Sequence, residues 1–183
     1  MRALLVLLLL AGNTFAEDSK GPHPEGEYGG VVPGHKPEVT KGQKPKRPPP
    51  KGTLSWIGFE VKDGGSQIFL QSVAAFEVSQ HIENGALVIY LPGLTRLGQN
   101  TWRIVDTRFF ATPISKIVAK YVGAGKGHKA GIEVRVTFKN AKDAKEAGVR
   151  TATEADGLFY AYLSFGGGAP ETETQPTIKD PEK

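Results

Sequence analysis

The chain has 183 residues, with 23 Lys and Arg against 19 Asp and Glu, a formal charge of +4 and no cysteine. Without thiols there is no disulfide framework, thiol nucleophile, iron–sulfur cluster or cysteine zinc site, so folding rests on apolar burial, which suits a domain of about 100 residues or more. The mild, dispersed positive charge argues against nucleic acid as a partner and for acidic envelope polymers.

Arg2 is followed by an apolar run from Ala3 to Ala11 and by Asn13-Thr14-Phe15-Ala16. One positive charge, an apolar stretch well short of the roughly 20 residues of a spanning helix, and a small terminal residue predict a secretory signal peptide over 1–16. The mature protein is then expected outside the cytoplasm, with no stable membrane insertion. Residues 17–52 are rich in Pro, Gly and Lys and poor in large apolar side chains, which predicts a disordered linker stiffened at Pro48, Pro49 and Pro50. Its cations Lys41, Lys44, Lys46, Arg47 and Lys51 read as solvated charge, and His23 and His35 are too sparse for a metal site.

From Thr53 to Phe165 short apolar runs alternate with polar residues between turn signals, the period-two pattern of strands. Ile57, Phe59 and Val61 run inward to a turn at Asp63-Gly64-Gly65 and return through Ile68 and Leu70 as a hairpin. Phe76 and Val78 begin another strand, Asn84-Gly85 turns it, and Leu87, Ile89 and Leu91 bring it back to Pro92-Gly93. Ile114 to Val122 is a β-branched run whose alternation breaks near Ile114 to Ile117, as at a bulge. Gly123 to Gly127 forms a loop, and Ile132, Val134, Val136 and Phe138 alternate with Glu133, Arg135 and Thr137. Asn140 and Gly148 bracket Ala141 to Ala147, which predicts one short helix, and Phe159, Ala161, Leu163 and Phe165 mark a last strand. Crossover helices are missing, so the expected fold class is all-β, an antiparallel sandwich or barrel, followed by a disordered tail over 166–183.

Taken in order, Ile68-Phe69-Leu70-Gln71, Phe76-Glu77-Val78-Ser79, the run Asn84 to Gly93 closing in Leu91-Pro92-Gly93, the stretch Arg108 to Ile117 and the strand Gly131 to Phe138 resemble the AMIN domain of bacterial cell envelopes. The resemblance covers about 53–165. It implies a small antiparallel β-sandwich of two sheets and a periplasmic location. It also implies a targeting and peptidoglycan-binding role rather than catalysis, as in peptidoglycan amidases and type IV pilus secretins. Tyr90 stands where that family usually carries an acidic residue, and Val118 where it often has arginine.

Parts for catalysis are few. His81 lies beside a turn and His128 in a glycine loop, the serines lack a nucleophile-elbow context, and Lys126 lacks phosphate-loop spacing. No catalytic residue, metal site or cofactor is expected. Strand parity instead sets Trp56, Phe69, Tyr90, Tyr160 and Tyr162 on outer faces, opposite their apolar neighbours. Flat rings with polar tips stack on sugars or anchor interfaces, and guanidinium groups such as Arg96 and Arg108 pair with peptide-stem carboxylates. These seven residues are the predicted binding set. The expected function is an exported, non-catalytic module that binds peptidoglycan or a wall-associated complex. An adaptor for a secretin, amidase or division assembly is the alternative, and a hydrolase of envelope polymers the third.

Overall fold

The computed structural model describes residues 31–35, 48–62 and 64–166; the predicted signal peptide, most of the linker and the tail from 167 onward lie outside them. Among the described residues the strands are β1 (Thr53–Lys62), β2 (Gly65–Ser72), β3 (Ser79–Glu83), β4 (Ala86–Pro92), β5 (Arg96–Leu97), β6 (Val105–Asp106), β7 (Ile114–Val122), β8 (Gly131–Phe138), β9 (Gly148–Thr153) and β10 (Phe159–Phe165). They form two five-stranded sheets, ordered β5-β1-β2-β10-β9 and β3-β4-β8-β7-β6. Neighbours are antiparallel except β1 and β5, which pair in parallel through Thr53 with Arg96 and Leu54 with Leu97. The sheets do not close, so the fold is an all-β sandwich.

The inner faces are the alternating apolar residues. Ile57, Phe59, Ile68, Leu70, Ala161, Leu163 and Phe165 of the first sheet pack against Leu87, Ile89, Leu91, Ile117, Ile132, Val134 and Val136 of the second in one buried cluster. Fully burying a large aliphatic or Phe side chain contributes about 1.5–3 kcal/mol, so these rows hold the sheets together. Phe138 meets Phe165 edge-on at 6.0 Å between ring centroids, and Phe110 closes one margin against Phe59 at 5.4 Å. The hairpin at Asn84-Gly85 has positive φ at both residues, 51° and 72°, the geometry that matches the twist of the flanking strands. A register shift between Ile114 and Lys116 in the β7–β8 pairing is the bulge expected from the broken alternation.

Several local expectations are corrected. Val61, next to last in β1, is 42% exposed rather than part of the core. The strand expected from Phe76 begins at Ser79, although Phe76 is buried beneath the approach and meets Phe159 at 5.0 Å. The predicted helix is a single 3₁₀ turn, Ala141–Asp143. A seven-residue stretch cannot offset helix nucleation, and the Gln80 side chain binds both polar groups of Ala147, accepting from its N–H at 3.0 Å and donating to its carbonyl at 2.7 Å. That double hold leads the chain directly into β9. Residues 31–35, expected within the disordered linker, carry a turn in which the His35 N–H bonds the Val32 carbonyl at 3.2 Å.

Candidate functional site

The seven predicted residues do not converge. Trp56, Phe69, Tyr160 and Tyr162 share the outer face of the first sheet, as parity required, but parity did not make them accessible. Phe69 and Tyr160 are fully buried and Tyr162 nearly so, and Trp56, Ala152 and Leu158 pack against them in a second small core. The Tyr160 and Tyr162 rings stack with an interplanar angle of 15°. The reason lies in the cross-strand neighbours: Phe69 faces Gly58 on one side and Tyr162 on the other, and Tyr160 faces Gln71 and Ala152, so the rings lie over small residues and pack on one another. The expectation that these rings form an open recognition surface is therefore overturned for Phe69, Tyr160 and Tyr162.

Their polar tips are bound internally. The Tyr160 hydroxyl donates to Asp156 Oδ2 at 2.6 Å and accepts from Gln71 Nε2 at 2.6 Å. The Tyr162 hydroxyl donates to Glu154 Oε1 at 2.7 Å, and the Arg150 guanidinium lies 4.3 Å from its ring centroid. Burial, then the adjoining carboxylate, pushes the Tyr160 hydroxyl up to about 12 and that of Tyr162 upward as well.

Tyr90 belongs to the opposite side of the molecule, the outer face of the second sheet. It is half-buried, donates to the Lys129 carbonyl and meets the His128 ring edge-on at 6.3 Å. Beside it runs a charge row in which Arg135 bonds Glu83 and Glu133, and Lys120 reaches Glu133 at 3.1 Å. The Arg135 hydrogen bond, then its charge, holds the Glu83 carboxyl below its usual range. These paired, solvent-screened charges leave little uncompensated charge for a ligand.

A third region carries open chemistry. Between β5 and β7 the chain crosses from the margin of one sheet to the margin of the other, and on this crossover Trp102 is 60% exposed, Ile104 62% and Phe109 87%. Two buried threonines brace it: Thr101 Oγ1 donates to the Gly98 carbonyl at 3.1 Å, and Thr107 Oγ1 to the Ile114 carbonyl at 2.8 Å. The exposed rings follow directly in the chain, Trp102 after Thr101 and Phe109 two residues after Thr107. Trp102 Nε1 is bound to the Gln99 carbonyl at 2.8 Å, which fixes the indole in one orientation.

Each ring carries a guanidinium. Arg103 Cζ lies 5.5 Å from the Trp102 centroid and Arg108 Cζ 5.8 Å from that of Phe109. Arg108 is held by Asp106, Nε to Oδ1 at 3.0 Å and Nη2 to Oδ2 at 2.7 Å, and this pairing draws the Asp106 carboxyl down to about 2. Of the predicted set, Arg96 opens this crossover and Arg108 sits within it; Arg103 belongs to the scattered cations that the sequence offers for carboxylates, while Trp102 and Phe109 were missed. The two rings fall outside any alternating run, where strand parity has no purchase; the available signal was aromatic–arginine neighbours, Trp102-Arg103 and Arg108-Phe109, in a stretch without periodicity.

Among the described residues no three His, Asp or Glu side chains converge to hold a metal, and no helix is long and apolar enough to cross a membrane. Compared with known proteins, the sequence matches no family model and no curated protein.

Proposed function

We propose that the protein is an exported binding module whose ligand is the bacterial cell wall, taken up on the crossover between β5 and β7. The observation that carries this reading is the pair of braced, exposed rings, Trp102 and Phe109, each with an arginine against it. Aromatic faces stack on the apolar faces of sugar rings, and the Arg103 guanidinium would pair with a carboxylate in a planar fork, whereas Arg108 already holds Asp106 in that way. Peptidoglycan offers both, a sugar backbone and peptide stems ending in carboxylates. The signal-peptide pattern over 1–16 and the AMIN-like order of motifs over about 53–165 support the same reading, with binding rather than catalysis as the activity. Sedimentation of the mature protein with purified insoluble peptidoglycan tests it; protein that stays in the supernatant at low salt contradicts it.

A second reading has its own observation. β6 pairs only with Lys116 and Ile117 of β7, so among the described residues the segment Val118 to Val122 has no strand hydrogen-bonded to it on that margin. An extended segment of an envelope protein, such as a secretin, an amidase or a division component, would add there as a further strand. Crosslinking in whole cells from residue 120 separates this adaptor role from direct wall binding.

A further inference from the structure

Among the described residues Asn84 alone carries a side chain at positive φ, +51°, and it is followed by Gly85 at +72°. The two form the corner of the β3–β4 hairpin, between the paired residues Glu83 and Ala86. Positive φ at both central positions is what a type I′ corner requires, and Asn is among the few side-chain-bearing residues that tolerate it. The second position admits nothing larger than Gly, because a Cβ on Gly85 would lie 2.6 Å from the Ala141 Cβ.

The corner also sets a nucleophile beside an electrophile. A main-chain nitrogen that loses its proton attacks the side-chain carbonyl carbon of a preceding Asn and closes a succinimide ring. Asn84 is exposed, and its carboxamide makes no hydrogen bond among the described residues. The Gly85 nitrogen donates to no main-chain carbonyl among them and has no side chain to shield it. Asn100 and Asn140 lack this combination. Thr101, which follows Asn100, is buried and β-branched and spends its N–H on the Gly98 carbonyl at 3.2 Å. The Asn140 carboxamide donates to Asp143 Oδ2 at 3.3 Å, and Ala141 after it carries a side chain.

We propose that Asn84 is a self-modification site, at which the Gly85 nitrogen attacks Cγ and the β3–β4 corner is the gate. The N–Cγ bond forms and the Cγ–Nδ2 bond breaks, and the amide nitrogen leaves as ammonia with the proton that the Gly85 nitrogen gave up. Water then opens the succinimide at either carbonyl and leaves aspartate or isoaspartate at position 84. The ring requires a ψ at Asn84 far from the small positive value of a type I′ corner, so the corner has to open first. What holds it shut is on the page: Arg135 pairs with Glu83, and the Gln80 side chain makes two bonds to Ala147. Either product adds a carboxylate beside Glu83, and isoaspartate also adds a methylene to the main chain of a two-residue corner, so the reaction loosens the end of β3 and does not reverse.

Peptide mapping by mass spectrometry on the intact mature chain, incubated at mildly alkaline pH both folded and in urea, tests this. Asn84 is expected to convert ahead of Asn100 and Asn140, and about tenfold or more slowly in the folded chain than in urea. The product should contain isoaspartate as well as aspartate, since direct hydrolysis of the side chain gives aspartate alone. Gln80→Ala, which removes both bonds to Ala147, and separately Arg135→Met, which releases Glu83, should each speed conversion of the folded chain severalfold and leave the rate in urea unchanged. No conversion in the folded chain, aspartate without isoaspartate, or faster conversion at Asn100 or Asn140 overturns the site. A folded rate equal to the rate in urea, or one that neither variant raises, overturns the gate.

Discussion

The Phe69 ring occupies the space where Gly58 would carry a side chain. The two residues face each other across the β1–β2 ladder, and a Cβ on Gly58 would fall among the Phe69 ring atoms Cζ, Cε1 and Cε2. This is how an aromatic on the outer face of a sheet becomes fully buried: its cross-strand partner has no side chain, so the ring lies down over the backbone.

Gly58→Ala is accordingly expected to destabilise the domain even though β1 accepts alanine conformationally. The added methyl must displace Phe69 from under Tyr160 and Tyr162, and overpacking of this kind costs about 1–3 kcal/mol. Urea unfolding followed by tryptophan fluorescence measures it; a midpoint equal to wild type means that the ring moves aside freely and the outer cluster is loosely packed.

The two cores are expected to differ in what they tolerate. Phe59→Ala removes a ring from between the sheets and should cost about 3–5 kcal/mol. Tyr160→Phe keeps the ring but strips the hydroxyl from Asp156 and Gln71, leaving buried polar groups short of a partner at about 1–3 kcal/mol. Calorimetry on both variants checks the order; a Tyr160→Phe protein as stable as wild type would show that those bonds exchange evenly with water.

Much of the fold was legible because the inner faces obey strict alternation and the turns carry their own chemistry, as at Asn84-Gly85 and Pro92-Gly93. Parity also set Trp56, Phe69, Tyr160 and Tyr162 correctly on the outer side of their strands. What it could not deliver was strand order. Whether an outer side chain is open depends on which residues lie beside it on the neighbouring strands, and that is set by pairings distant in sequence, such as Phe69 with Gly58 and with Tyr162. β5 and β6, two residues each, are too short to show a period, and the stretch 141–147 that leads into β9 has a helix-forming composition that the Gln80 side chain overrides. The crossover rings escaped for the converse reason: a loop has no alternation from which to read exposure.

Stability should fall at alkaline pH through the two outer tyrosines. Their hydroxyls are held above the ordinary value of 10, to about 12 for Tyr160, by burial first and by donation to Asp156 and Glu154 second. Below about pH 10 both states keep these protons and the contribution is complete. As pH rises from about 10 toward 12 the unfolded chain releases protons that the folded sheet retains, so the unfolded state binds fewer and stability declines. Urea midpoints across this range should drop less steeply in a Tyr160→Phe, Tyr162→Phe double variant than in wild type. Identical slopes would mean that neither hydroxyl is coupled to folding.

The wall-binding account is tested most directly by the affinity of the mature protein for insoluble peptidoglycan, measured by sedimentation at low and high salt, in wild type and in a Trp102→Ala, Phe109→Ala double variant. Both side chains are exposed, so the melting temperature should stay near wild type, within the range of about 0.5 kcal/mol usual for surface changes. Affinity should fall about tenfold or more, equivalent to about 1.4 kcal/mol, and wild-type binding should weaken as salt screens Arg103. A double variant that sediments as wild type does, with its fold intact, contradicts the account.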